Sequence, residues 1–315
     1  MKKIFLLSLS MLVCISAISQ NSVNLKLNLE KNKIYRLSAV SEQTIQQTIN
    51  GNQQTIESKN SYTASLKMAD ATAAFMVVEF RFDSISARTN TMGKTTIMSS
   101  AGAGDIKSKE TSDIMSSVMN KMTKNPFYAK MDFTGNVIDI INAKMVSDMI
   151  LKDTSSITLA EPLAAAIKTQ IGNMISAGNL KTNIEMFTHF LPGKQIGTGE
   201  SWTIVTPTNS GGMMLEITTV YKLDGISGNK ANVSAESSIK AAPYAVPMKS
   251  GGATVSYDDL RGLSKSSVVI DTNTGLVSET SGKTHISGNL GISYPGGSMQ
   301  MPMDINGESK IVLLK

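Results

Sequence analysis

Apolar and polar residues alternate along most of the chain with a period of two, which is typical of β-strands that have one dry face. The alternation forms a first block over residues 20–141 and a second block over residues 196–315. The clearest strand of the first block spans residues 74–82, and its dry face carries Met76, Val78, Phe80 and Phe82. Both blocks are therefore predicted to be sheet-forming.

The ends of the two blocks give weaker patterns. Alternating apolar residues predict a strand over residues 23–29 at the start of the chain, and two short strands over residues 299–305 and 311–314 at its end. The apolar signal fades over residues 88–109, and within this range Ala101-Gly102-Ala103-Gly104 predicts a flexible loop. After it, Ile114, Val118 and Met122 are spaced one helical turn apart, so the first block is expected to contain one helix.

Residues 142–192, between the two blocks, change to helical periodicity. Leu180, Ile184, Phe187 and Leu191 fall on one stripe of a helix that stops at Pro192-Gly193, because proline has no amide to continue the helical ladder. The second block then begins near Trp202, the only tryptophan. We interpret this indole as a seal between the helical stripe and the sheet.

These elements predict an α+β fold in which a large, curved, mostly antiparallel sheet forms an open or half barrel around a central helical insert. About ten strands with one apolar face each offer more dry surface than four short helices can cover, so the sheet is expected to curl. No Pro- or Gly-rich linker divides residues 20–315, which predicts a single β-rich domain.

The first 19 residues have the pattern of a secretory signal peptide. Lys2 and Lys3 precede an apolar run, and Ala17 and Ser19 occupy the two positions that a signal peptidase recognises, so cleavage is expected between Ser19 and Gln20. No later segment approaches the roughly 18 uninterrupted apolar residues of a membrane span. The mature protein is therefore predicted to be periplasmic or secreted and not an integral membrane protein.

Removal of this segment changes the composition. It takes away Cys14, the only cysteine, which follows bulky Val13 and does not fit a lipidation site, so no disulfide is expected. Without Lys2 and Lys3 the chain has 28 basic and 25 acidic residues, a net charge of +3. This charge is dispersed, which argues against nucleic acid as a partner.

Motifs for catalysis and cofactor binding do not fit their required spacing. Gly282-Lys283-Thr284 lacks the earlier glycine of a phosphate loop, because Val277 occupies that position. The methionine run over residues 299–303 suits copper(I) chemically, but same-face thioethers on a strand lie about 6.6 Å apart, too far to hold one ion. We therefore predict a non-enzymatic protein with no cofactor, no metal and no catalytic residue, and histidine-assisted hydrolysis through His189 or His285 is the alternative.

Two short hairpins resemble each other and mark a family. Residues 132–137 and 271–277 each place an aspartate before a glycine, and an internal duplication is one hypothesis for this likeness. With the signal peptide and the junction from Leu191-Pro192-Gly193 to Trp202, the chain resembles a family of exported Gram-negative envelope proteins known only as a domain of unknown function. More loosely, it is similar to the half-barrels of periplasmic lipoprotein carriers and lipid-binding proteins. Neither resemblance carries catalytic residues over.

Two functions are predicted from this pattern. In the first, the protein binds or carries a lipid or another apolar small molecule between sheet and helices, because methionine side chains repack around varied apolar shapes. In the second, polar strand faces or sheet edges dock onto another envelope protein. The candidate apolar pocket consists of Met76, Phe80, Met119, Met131, Met149, Met174, Phe187, Trp202, Met213 and Met301.

Overall fold

The structure is a computed structural model that describes residues 22–49, 51–210, 212–250 and 252–314. The predicted signal peptide and its cleavage site lie outside these residues. The strands are β1 (Ser22–Asn24), β2 (Ile34–Ile49), β3 (Asn52–Ala71), β4 (Met76–Thr91), β5 (Lys94–Ser99), β6 (Phe127–Met131), β7 (Val137–Ile140), β8 (Gln195–Gly197), β9 (Ser201–Ser210), β10 (Met213–Ser227), β11 (Lys230–Ala241), β12 (Met248–Ser250), β13 (Ala253–Ser256), β14 (Arg261–Asp271), β15 (Val277–Tyr294) and β16 (Gly297–Leu314). The helices are α1 (Thr111–Lys124), α2 (Ala143–Lys152), α3 (Leu163–Met174) and α4 (Ala177–Thr188).

Almost all strands join one antiparallel sheet. Its order is β7-β6-β4-β3-β2-β16-β15-β14-β11-β10-β9, with β5 paired to β4 and the β12–β13 hairpin paired to β15. The sheet is curved and does not close into a barrel. The predicted α+β architecture, with an open curved sheet and helices from the middle of the chain, is confirmed.

The two halves of this sheet have the same strand order. The first half runs β2-β3-β4-β6-β7 and the second runs β9-β10-β11-β14-β15. The short strands that precede each half, β1 and β8, pair antiparallel with each other. The corresponding hairpins, β6–β7 and β14–β15, each turn through a glycine in the left-handed region, Gly135 at φ 86° and Gly275 at φ 74°. This repeated order supports the duplication hypothesis.

Helix α4 lies at the gap between the outermost strands, β7 and β9, and contacts both. Ser176 caps its first turn by accepting a hydrogen bond from the Asn179 amide, and Leu180, Ile184 and Phe187 form the buried stripe that the spacing predicts. The helix ends at Thr188, three residues before the predicted end, because His189 leaves the helical conformation. At the opposite side of the sheet, β16 joins the two halves by pairing with β15 and β2.

The sheet has an inner face that carries the cores and an outer, wet face. The main core packs the helices against one end of the strands, and a smaller core around Tyr257 and Leu290 covers the inner face at the other end. Between them the inner face carries small polar side chains, with hydrogen bonds such as those of Thr219 with Ser237 and Thr284 with Ser264. Directly paired residues of neighbouring antiparallel strands project to the same side of the sheet. A row of paired residues therefore lies on one face.

Residues 25–29 do not form the predicted strand. Their leucines are buried as a strand pattern requires, but the backbone bonds to separate loops, with the Leu27 amide donating to the Phe133 carbonyl (2.8 Å) and the Asn28 amide to the Thr274 carbonyl (2.9 Å). The segment is therefore a strap between the two related hairpins. A β-strand and this irregular segment both bury every second residue, so the alternation of apolar residues could not distinguish them.

The sequence pattern misses structure in two further places. Within residues 88–109, where the apolar signal fades, β4 continues to Thr91 and β5 pairs with it, whereas the predicted loop at residues 101–104 contains neither helix nor strand. These strands are rich in polar residues and give no apolar signal. The last strands are one continuous strand, β16, since Gly307 keeps the ladder with Gln43 and Thr284.

Candidate functional site

The ten residues of the predicted apolar pocket do not come together at one place. Seven of them contribute to the main core, whereas Met213 and Met301 belong to the smaller core at the other end of the strands. Met149, on α2, is 43% exposed and Met174 is partly buried. The fully buried members are packed against other side chains of the cores. Contact between these ten residues and an apolar ligand stays a prediction.

Trp202 occupies the position that its interpretation as a seal requires. The indole is 8% exposed, it stacks on Tyr221 with ring centroids 5.4 Å apart, and its Nε1 donates a hydrogen bond to the Phe190 carbonyl at 3.1 Å. Burial raises the pKa of the Tyr221 hydroxyl to about 12. The pair thus fastens β9 and β10 to the end of the helical insert.

The two histidines lie in different environments. His285 is on the outer face, where its Nδ1 is 3.1 Å from the Asn306 side-chain oxygen. His189 follows α4 and its Nδ1 is buried without a hydrogen-bond partner among the described residues. Burial lowers the His189 pKa, Glu185 and Asp132 act in the opposite direction, and Lys181 adds to the lowering.

The acidic groups near His189 serve the backbone. Glu185 accepts a hydrogen bond from the Val137 amide (2.8 Å), and Asp132 accepts from the amide and the hydroxyl of Thr134 (2.8 and 2.6 Å). The Thr188 hydroxyl donates to the Gly135 carbonyl at 2.8 Å. This polar group therefore fixes the β6–β7 hairpin against α4.

The outer face of the sheet carries two adjoining grooves, and the larger one has a volume of about 960 Å³. It crosses six strands, β4, β3, β2, β16, β15 and β14, and a second groove of about 510 Å³ adjoins it along β2, β16 and β15. None of the ten predicted pocket residues lines either groove. The outer-face side chains that line the larger one are Glu42, Thr44, Glu57, Lys59, Arg88, Asn90, Leu263, Lys265, Lys283, His285, Asn306 and Glu308.

The register of the sheet aligns charged side chains in one row along this groove. Each of seven neighbouring strands contributes one residue, and each residue lies directly opposite the next. We call this set the charged row. In order across β4, β3, β2, β16, β15, β14 and β11 it consists of Arg88, Lys59, Glu42, Glu308, Lys283, Lys265 and Glu236.

Three ion pairs connect members of the charged row. Lys59 Nζ is 2.7 Å from Glu42 Oε1, Lys283 Nζ is 3.0 Å from Glu308 Oε1, and Lys265 Nζ is 2.9 Å from Glu236 Oε1. Like charges also lie directly opposite each other at three places, an arrangement that destabilises a sheet. They are Arg88 with Lys59, Glu42 with Glu308, and Lys283 with Lys265. The ion pairs offset part of this repulsion, and the hydrogen bond that Lys265 donates to Glu236 raises the Lys265 pKa.

The sequence does not reveal the charged row. Each member is one polar residue in an alternating strand, and the row exists only because the register of seven strands brings these residues together.

The described residues contain no group of three or more His, Cys, Asp or Glu side chains arranged to hold a metal ion. In that same part of the chain, no helix has the length and apolar character needed to cross a membrane.

Known structures resemble this chain only distantly. An outer-membrane channel from Pseudomonas putida F1 is 8% identical, with 91% of this chain and 97% of that one covered at a TM-score of 0.29. A DUF1329 family protein from Desulfovibrio piger is 9% identical, with 85% and 83% covered at a TM-score of 0.14. No curated protein sequence matches the chain.

A family model covers residues 73–277, from just before β4 to the first residue of β15. The matched range includes residues 132–137 and 271–277, the Leu191-Pro192-Gly193 junction and Trp202, on which the sequence resemblance rests together with the signal peptide outside that range. The chain belongs to the family of unknown function DUF6263.

Proposed function

We propose that this is an exported, non-enzymatic protein that docks another protein chain onto the outer face of its sheet. The observation that carries the proposal is the charged row, which lies along an open groove across six neighbouring strands. Surface charges normally vary in sign and place from strand to strand, and like charges directly opposite each other destabilise a sheet. An ordered row that contains such contacts is expected where a partner supplies compensating charge.

The long strands provide a rigid base for such a surface. β2, β3, β4, β15 and β16 have 16 to 20 residues each, and their inner faces are held by the two cores. The outer side chains are therefore positioned by a ladder of backbone hydrogen bonds and not by a loop. A preorganised surface loses little entropy when a partner binds, so modest contacts suffice for recognition.

Export and the absence of catalysis are parts of the same proposal. Export rests on the signal-peptide pattern of residues 1–19, and it predicts that protein recovered from the periplasm or the medium begins at Gln20 in N-terminal sequencing. A non-enzymatic role is supported by the positions of the two histidines, since His285 bonds Asn306 on the surface and His189 adjoins side chains that hold a hairpin.

Binding of an apolar molecule between sheet and helices stays a prediction. It is the second choice because the candidate residues divide between two separate cores. The docking proposal, by contrast, rests on side chains that already share one groove.

The docking proposal is tested by site-specific photo-crosslinking in cells. Leu263 lines the groove and is 68% exposed, so a photoreactive residue placed there is expected to join the protein to another chain. Met145, on α2, is 65% exposed and serves as the matched control position. A defined protein adduct from position 263 and none from position 145 supports the proposal. No adduct from position 263, or the same adducts from both positions, contradicts it.

A further inference from the structure

We propose that the chain docked on the outer face is a second copy of this protein, related to the first by a two-fold axis parallel to the strands. This inference rests on the proposed function, since it uses the same surface and specifies the partner. It follows from the order of charges in the charged row, which is positive, positive, negative, negative, positive, positive, negative.

The last six charges of this order, from Lys59 to Glu236, are antisymmetric about their midpoint, which lies between β16 and β15. When two copies face each other around an axis at that midpoint, the row of one copy runs in reverse along the row of the other. Glu308 then faces Lys283 of the second copy, Glu42 faces its Lys265, and Lys59 faces its Glu236. Every facing pair has opposite charges, and each pair occurs twice by symmetry.

The neighbouring outer rows are compatible with the same axis. On one side of the charged row, Asn306 faces His285 of the second copy and Thr44 faces its Leu263. On the other side, Lys310 faces Ser281 of the second copy, so its charge meets a hydroxyl. These rows bring no like charges together, and they place hydrogen-bonding groups and one apolar side chain around the charges.

Moving the axis by half a strand spacing removes the complementarity. With the axis on β16, Glu308 would face its own copy and Lys59 would face Lys265 of the second copy. With the axis on β15, Lys283 would face its own copy and Glu42 would face a glutamate, Glu236. The order of charges therefore selects one register among its neighbours, which is how interfaces obtain specificity from electrostatics.

The expected dimer is weak and sensitive to salt. Six strands spaced about 4.8 Å apart and three rows spaced about 6.6 Å apart cover roughly 500 Å² on each copy. The total of about 1,000 Å² is at the lower limit for a specific interface. Packed sheets cross at about 30°, so the pairs nearest the axis, Glu308 with Lys283 and then Glu42 with Lys265, are displaced least from their facing positions. Charges at an accessible rim are screened by salt.

The experiment measures association of the purified protein by sedimentation at low and high salt, with two charge reversals. Glu308→Lys and Lys283→Glu each place like charges at both central contacts, and each is expected to raise the dimer dissociation constant about tenfold or more. A mixture of the two variants is expected to associate again. In the mixed dimer, the lysine introduced at position 308 of one copy faces the glutamate introduced at position 283 of the other, and native Lys283 faces native Glu308.

The mixture separates docking from folding. Within each variant chain, positions 308 and 283 lie opposite each other on neighbouring strands and carry like charges, and mixing cannot repair this contact. Restored association therefore reports the contact between copies. Asp148→Lys is the matched control, because it reverses one charge of an exposed pair with Lys144 on α2, and it is expected to leave association unchanged.

The outcomes also distinguish this inference from the proposed function. A dimer that neither single reversal weakens, or variants that do not associate when mixed, overturns the assignment of this interface. A protein that is monomeric at low salt, while position 263 crosslinks in cells to a different chain, overturns the second copy as partner and leaves the docking proposal standing. A monomer with no crosslink at position 263 overturns both.

Discussion

Trp202 Nε1 donates a hydrogen bond to the Phe190 carbonyl across 3.1 Å, and this contact connects an outermost strand of the sheet to the chain that leaves the helical insert. The indole is stacked on Tyr221 of the neighbouring strand at an interplanar angle of 13°. One side chain thus joins three parts of the fold.

Trp202→Phe is expected to lower the free energy of unfolding by about 1–2 kcal/mol, because it leaves the Phe190 carbonyl without this donor while keeping most of the buried area. Trp202→Ala also opens a cavity and is expected to cost about 3–5 kcal/mol. Urea unfolding monitored by circular dichroism measures both changes. A Trp202→Phe variant as stable as the parent protein would show that the hydrogen bond contributes nothing.

A second prediction concerns the glycines at the turns of the two related hairpins. Gly135 has φ 86°, and a Cβ there would lie 2.0 Å from the Thr188 carbonyl oxygen. Gly135→Ala is expected to cost about 3 kcal/mol or more, since an unfavourable backbone conformation is combined with a clash against backbone. Gly275→Ala is expected to behave alike, because its Cβ would lie 2.3 Å from the Lys26 carbonyl oxygen.

Gly93 provides the control for this pair. Its φ of 81° matches that of the hairpin glycines, but an added Cβ has no atom within 4 Å. Gly93→Ala therefore carries only the conformational cost of about 1–2 kcal/mol. Thermal unfolding of the three variants side by side separates conformation from close approach. If Gly135→Ala were no worse than Gly93→Ala, the hairpin would not be held against α4 as the structure describes.

How far the sequence could predict this fold depends on the range of each interaction. The stripe on α4 and the dry face of β4 are set by neighbours along the chain, so periodicity located them. The strap over residues 25–29 has the same period as a strand, but its partners are loops far away in sequence. Local pattern therefore predicted its burial and not its backbone pairing.

The candidate docking surface could not be predicted for a related reason. Glu42 and Glu308 belong to opposite ends of the chain, and they face each other only because β16 returns to pair with β2. A shift of β16 by one residue in that register would send Glu308 to the inner face and leave Glu42 on the outer face. The candidate apolar residues were better predicted as buried positions than as one site, since hydrophobicity predicts burial but does not say which core receives the side chain.

His189 makes the stability depend on pH in the acid range. Burial lowers its pKa in the folded protein, so the unfolded chain binds the proton more readily as pH falls through about 6.5. The free energy of unfolding is therefore greatest above that pH and decreases on acidification towards the folded pKa. Glu185 and Asp132 face the ring and limit the shift, whereas Lys181 increases it.

His189→Gln is expected to reduce this loss of stability, because the amide does not titrate. Urea unfolding of both proteins at about pH 7.5 and about pH 5 measures the difference in slope. An identical decrease for both proteins would assign the acid sensitivity to carboxylates instead of His189.

The hypothesis of an apolar ligand predicts that protein isolated from its own cells retains a lipid-sized molecule in native mass spectrometry. Of the ten candidate residues, Met149 is exposed and Met174 is partly buried, so these are the members on the helical insert that a ligand can reach without opening a core. Met149→Lys and Met174→Lys should then reduce the retained mass while the fold persists. Lys144→Met, an exposed substitution on the same insert, is the control that changes charge without blocking a candidate position. Protein that emerges without any retained molecule, from gentle extraction and in every variant, would remove this hypothesis and leave docking on the outer face as the remaining function.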